Sequence, residues 1–183
     1  MALLDSHAFD RNFPCPAFGL YSVDDQFFQR SDFDESKALL VAFICNHCPY
    51  VKAIEDRLVA LRKKYNTSDL AMVGICSNDP SSYPDDSKAM LLKRWQEKNY
   101  GFPYLLDVDQ QVAHAFDAVC TPDLFLFDKK RKLFYRGRLD NNWRDQSQVS
   151  KHDLTDALEL LLKDQEPPTE QIPSQGCSIK WFQ

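Results

Sequence analysis

Two cysteines spaced for joint chemistry stand out in this 183-residue chain: Cys45 and Cys48, in the run Cys45-Asn46-His47-Cys48. A thiol pair at that spacing closes into a disulfide or contributes two ligands to a metal. Its position is more informative than its spacing. Residues 39–45 form an unbroken apolar run, predicting a strand buried on both faces. Residues 50–65 carry a helical stripe of Val51, Ile54, Leu58 and Leu61, with Pro49 where a first helical turn tolerates proline. A thiol at such a junction meets unpaired amide N–H groups and the positive end of the helix dipole. Both favour the thiolate, and pKa values in such motifs fall from ~8.5 to roughly 3.5–7.5. Each unit is worth about 1.4 kcal/mol. The reading predicts Cys45 as the anionic nucleophile. Cys48, about a turn into the helix and more shielded, resolves the mixed disulfide. His47 as an imidazolium beside Cys45 would stabilise the reduced state and make the pair more oxidising. The plainer alternative is a solvent-exposed loop side chain.

A metal site is the competing use of the pair, since zinc favours four ligands. No second Cys-x-x-Cys or His-x-x-x-His follows at finger spacing, so the expectation is no metal, and no other cofactor is implied. Thr121-Pro122 adds a third element. A cis peptide is expected there, because cis bonds are essentially an X-Pro feature of tight turns, although a trans proline starting an edge strand stays open. The backbone before Pro122 is suited to receive a substrate as an added strand. Asn46, Thr121 and Pro122 are therefore the candidate substrate-binding residues.

These groups need a frame. Residues 70–76 predict a second buried strand, and 77–84 a turn-rich loop. Residues 87–98 predict a helix with Met90, Leu91, Arg94 and Trp95 inward. A short strand at 102–106, a short helix at 109–117, a strand at 123–128, a hairpin return at 133–139 and a helix at 154–163 complete the pattern. Lys129 to Lys132 reads as a solvated turn. The alternation signals an α/β domain with a mixed sheet. One domain, 1–164, is expected, with 165–183 as a tail packing on it. Hydrophobic residues at 44% suffice for a core, and a net charge of −5 without a basic face argues against nucleic acid and anionic membranes as partners. No apolar stretch approaches the ~20 residues that span a bilayer, and residues 1–13 do not read as a signal peptide. The expected location is cytoplasmic.

The runs Phe43-Ile-Cys-Asn-His-Cys-Pro-Tyr-Val-Lys52, Ser77-Asn-Asp79, Tyr83-Pro-Asp-Asp-Ser87, Cys120-Thr-Pro-Asp123, Tyr135-Arg-Gly-Arg-Leu-Asp140 and Gly176-Cys-Ser-Ile-Lys-Trp181 resemble the thioredoxin superfamily. Within it they are similar to peroxiredoxin-like redoxins related to the alkyl hydroperoxide reductase and thiol-specific antioxidant group. The resemblance implies a thioredoxin-like α/β fold, a mixed central sheet flanked by helices with an N-terminal hairpin extension and a C-terminal tail. The cysteine pair with Thr121-Pro122 makes thiol–disulfide oxidoreductase activity the leading expectation, on a protein or small-molecule thiol or disulfide, with a thioredoxin- or glutathione-type donor as reductant.

Two departures matter. The peroxiredoxin pattern Pro-x-x-x-Thr/Ser-x-x-Cys, measured back from Cys48, falls on Val41 and Cys45; from Cys45 it falls on Ala38 and Ala42. Neither cysteine has the polar cradle for peroxide, which makes a thiol peroxidase the runner-up. A non-catalytic binding scaffold is the third reading. The acid that thioredoxins bury ahead of the motif is missing from 39–44. Cys120 and Cys177 are candidate additional redox thiols: Cys120 near Pro122 as a trap or as plain packing, Cys177 as a resolving or shielding group if the tail folds back. Cys15 and Cys76 read as structural.

Overall fold

The computed structural model describes residues 3–182. In chain order the strands are β1 (Leu3–Asp5), β2 (Gly19–Tyr21), β3 (Phe27–Gln29), β4 (Ala38–Phe43), β5 (Leu70–Cys76), β6 (Tyr104–Leu106), β7 (Cys120–Thr121), β8 (Asp123–Phe127), β9 (Leu133–Arg136) and β10 (Gln175–Ser178). The helices are α1 (Pro49–Lys64), α2 (Lys88–Lys98), α3 (Gln111–Ala115) and α4 (Asp153–Leu162).

Five strands form the central sheet in the order β6-β5-β4-β8-β9. β4 runs parallel to β5 and antiparallel to β8, so the sheet is mixed. α1 and α2 are the crossovers that parallel neighbours require. Every residue of β4 is buried, as its unbroken apolar run predicts, and the alternation of side chains divides it between two cores. Leu40 and Ala42 pack with Val51, Ile54 and Leu58 of α1 and Leu154, Leu158 and Leu161 of α4. Leu39, Val41 and Phe43 pack with Val112 and Ala113 of α3 and with Phe116, Phe125 and Phe127. Burying each such large side chain contributes ~1.5–3 kcal/mol, which fixes the sheet whose end carries the cysteine pair.

Several expectations need correction. β4 ends at Phe43 rather than Cys45. Beyond it Ile44 still donates to the Ile75 carbonyl, but the next amides turn to a side chain described below. Met90 faces outward, while Leu91 is buried and Arg94 binds Glu55 of α1 through Nε at 2.8 Å. Arg131 is not part of a solvated turn. It is buried, with its guanidinium donating to the carbonyls of Phe33, Ser36 and Asp128.

A second sheet, β1-β10-β7, brings the tail into the fold. Opposite Thr121 of β7 lies Cys177 of β10. The β2–β3 hairpin is the N-terminal extension. β8 starts just after Pro122 and is locked to β9 by a buried ion pair: Arg136 donates from Nη2 to Asp123 at 2.9 Å and to the Asp117 carbonyl at 2.8 Å. Removing one partner of such a pair costs about 3–5 kcal/mol, because the other charge is stranded, whereas replacing both with apolar groups costs far less. Urea unfolding of Arg136→Leu is expected to show that loss, and the double variant Asp123→Leu/Arg136→Leu to recover most of it. Equal losses in the two would contradict the ion-pair account.

Candidate active site

The cysteine motif is a loop between β4 and α1, held from outside. The Tyr104 hydroxyl donates to the Ile44 carbonyl at 3.2 Å. The amides of Asn46 and His47 both donate to Asp86 Oδ1, at 2.7 and 3.2 Å. Asn46 Nδ2 donates to the carbonyls of Asp85 and Met90. Both amide hydrogens of Asn46 are thus used within the chain, so this residue fastens the motif instead of donating to substrate.

His47 is not an exposed loop residue. Its Nδ1 lies 2.5 Å from Asp86 Oδ2, its ring stacks on Tyr83 at 4.4 Å, and Nε2 is buried without a partner among the described residues. Burial opposes the charge on Asp86, but hydrogen bonds from His47 and Asn78 hold its carboxyl below the usual range. An imidazolium at 47 is therefore paired with a carboxylate, and the positive potential expected at Cys45 is offset.

The sulfurs meet at Thr121, whose bond to Pro122 is cis, as expected. Cys45 Sγ lies 3.3 Å from the Thr121 hydroxyl, and Cys48 Sγ lies 3.0 Å from the Thr121 carbonyl. Cys48 is the N-cap of α1, with Pro49 as first helical residue; it does not sit a turn inside the helix. That placement favours the anion on Cys48, where the sequence leads one to expect it on Cys45. Burial pushes the Cys45 thiol well above its ordinary value, and its hydrogen bond to Cys48 and the nearby Asp86 charge push it further. The same bond, donated by Cys45, lowers Cys48 most. Burial opposes it, and the Val51 amide and the amide and thiol of Cys177 reinforce it, bringing Cys48 to about 5. The Thr121 carbonyl accepts from Cys48 only while that thiol is protonated, so it works against ionisation. The surrounding donors outnumber it. These contacts favour the anion on Cys48 and the proton on Cys45.

Of the two further thiols singled out in the sequence, only Cys177 joins the pair. Cys120 is buried, its thiol pushed up by desolvation and directed to the Pro122 carbonyl at 3.7 Å. That is the packing role. Burial pushes Cys76 up as well, and Cys15 to about 12. Cys45, His47 and Asp86 bring a sulfur, a ring nitrogen and a carboxylate oxygen within 4.8 Å of one another. This group could hold a metal ion, but His47 and Asp86 already satisfy each other there.

Thr121 does not offer its backbone as a free edge, because β10 occupies it. Beside it lies a cavity of about 290 Å³ lined by Tyr50, Ile54, Pro122, Trp143 and the tail residues Ile172 to Gln175. Sequence reasoning missed Asp86, Asn78 and Tyr83. Their signal was present as an asparagine, three carboxylates and a tyrosine among the prolines of 77–87, where turn chemistry explained the composition without assigning any residue a partner.

Residues 12–136 match the AhpC/TSA family model, and the chain belongs to the AhpC/TSA family. An uncharacterised conserved protein of Geobacillus kaustophilus is 40% identical, with 100% of this chain and 97% of that one covered and a TM-score of 0.93. A hypothetical protein of Sinorhizobium meliloti is 37% identical, with 97% and 98% covered and a TM-score of 0.92. A thioredoxin-family thiol:disulfide interchange protein of Chlorobium tepidum is 18% identical, with 85% and 99% covered and a TM-score of 0.66, a likeness of fold. No curated protein matches. The fold is thioredoxin-like, and the chain is a redoxin of the thioredoxin superfamily.

Ultraviolet thiolate absorbance is expected to show one thiolate per chain forming as pH rises through about 5. Cys48→Ser should abolish that step. Cys45→Ala, which removes the strongest donor, should move it to higher pH. A step that survives Cys48→Ser would contradict the assignment.

Proposed function

We propose that this redoxin is a thiol–disulfide oxidoreductase in which Cys48 is the attacking thiolate and Cys45 the proton donor and resolving thiol. The observation that carries the reading is the placement of Cys48 at the N-cap of α1, with its sulfur and that of Cys45 meeting at Thr121. Cys48 attacks one sulfur of a disulfide R–S–S–R′, forming Cys48–S–S–R. The leaving R′–S⁻ takes up a proton released from Cys45. The Cys45 thiolate then attacks Cys48 Sγ, displaces R–S⁻ and closes the Cys45–Cys48 disulfide. The substrate gains two electrons and the pair loses two. A dithiol or glutathione-type donor in a reducing compartment such as the cytoplasm resets it.

Three observations support this reading: membership of a redox family, the contact of Thr121 with both sulfurs, and the cavity beside Pro122 that gives a small thiol or peptide a place to sit. A peroxidase reading draws on the same family and on the lowered Cys48, but the position three residues before it holds a sulfur where a peroxide-activating hydroxyl is needed.

In an insulin-type disulfide reduction assay, Cys48→Ser is expected to fall to the uncatalysed rate and Cys120→Ser to retain activity. Activity that persists without Cys48 would overturn the proposal.

A further inference from the structure

The edge of β7 that suits an incoming substrate strand is filled by the chain's own tail. β10 pairs antiparallel with β7, Cys177 opposite Thr121 and Ser178 opposite Cys120, and β1 pairs along its other side. The approach is unusually close. A Cβ at Gly176 would stand 2.0 Å from the Thr121 carbonyl oxygen, so only glycine lets the strand lie there. Thr121 is also the residue whose carbonyl contacts Cys48 Sγ. One residue therefore carries both the catalytic sulfur on one side and the tail cysteine on the other. The amide and thiol of Cys177 both face Cys48.

The tail is anchored on both flanks of this cysteine. The Lys180 amide donates to Asn78 Oδ1 at 2.8 Å, the Asp79 amide donates to the Lys180 carbonyl at 2.8 Å, and Gln110 Nε2 donates to the same carbonyl. Trp181 stacks on His114 at 4.3 Å. On the other side the Ser174 hydroxyl donates to the Gly137 carbonyl at 2.7 Å. Cys177 is thus held at the position of a substrate residue on this edge, 3% exposed beside Cys48 at 0% and Cys45 at 2%.

We propose that Cys177 is a second resolving thiol, which attacks Cys48 Sγ from the strand that occupies the substrate edge and closes a Cys48–Cys177 disulfide. The inference rests on Cys48 being the attacking sulfur. In the mixed disulfide Cys48–S–S–R, the Cys177 thiolate attacks Cys48 Sγ, the bond to R–S breaks, and R–S⁻ takes the proton that Cys177 gave up. No electron source beyond the substrate disulfide is needed, since that disulfide is reduced as Cys48 and Cys177 are oxidised. Burial holds the Cys177 thiol up to about 12, and the neighbouring Cys48 anion adds to this. The anion is gone once Cys48 is in the mixed disulfide, so the barrier to deprotonating Cys177 drops when its attack is required. The intramolecular geometry supplies a high effective concentration.

The test is Cys45→Ser treated with oxidised glutathione, followed by unreduced peptide mapping by mass spectrometry. The expected product is the Cys48–Cys177 linkage with glutathione released, while Cys45→Ser/Cys177→Ser retains the glutathione adduct on Cys48. A stable adduct on Cys48 of Cys45→Ser, with Cys177 still open to alkylation after unfolding, would overturn the role of Cys177 and leave Cys48 as the attacking thiol. Neither adduct nor linkage at Cys48 would overturn both readings. Cys45→Ala, checked with Cys45→Ser for native circular dichroism, should give the same linkage.

Discussion

An anion kept out of water has to be stabilised by donors built into the chain, because burying a charge without them costs far more than a fold can offset. Cys48 is where this constraint acts. Its sulfur has no contact with solvent, and its donors come from three parts of the sequence: the Cys45 thiol on the same loop, the Val51 amide in the first turn of α1, and Cys177 on the tail. Each donor needs its own element in place. β4 delivers Cys45, Pro49 starts the helix so that Cys48 caps it, and β10 must pair with β7 to bring Cys177 across.

The same requirement accounts for the position of Asp86. It is the acceptor that turns the backbone of Asn46 and His47 out of the sheet, and its charge disfavours a second anion at Cys45. Asn78 joins it to the tail, donating to Asp86 at 2.9 Å while accepting from the Lys180 amide. Motif loop, turn-rich loop and C-terminal strand therefore form one hydrogen-bonded unit, so displacement of the tail would disturb both the donors to Cys48 and the support of Asp86.

Strands and helices were legible because periodicity reports burial directly. The run at 70–76 is β5 to the residue, and the stripe from Val51 to Leu61 is the inner face of α1. The cysteine pair and Thr121-Pro122 were legible because few residue types perform their chemistry. The order of the two sulfurs was not, since it depends on where the helix starts relative to Cys48, and a shift of one turn moves the dipole from one thiol to the other. Arg131 looked solvated because charge is normally exposed; only the carbonyls of Phe33 and Ser36, nearly a hundred residues away in sequence, explain its burial. Asp86 was hidden for a similar reason, as its partners lie on a different loop.

All of this depends on which sulfur holds the shared proton. Carbon-13 labelling of the cysteine β-carbons, followed by NMR titration of the unmodified protein, reads each thiol separately. The Cys48 resonance is expected to shift through a midpoint at about 5, with the Cys45 resonance moving only far above neutrality. If Cys45 titrates first and Cys48 stays protonated through neutral pH, the assignment of the attacking sulfur, and the mechanism built on it, is wrong.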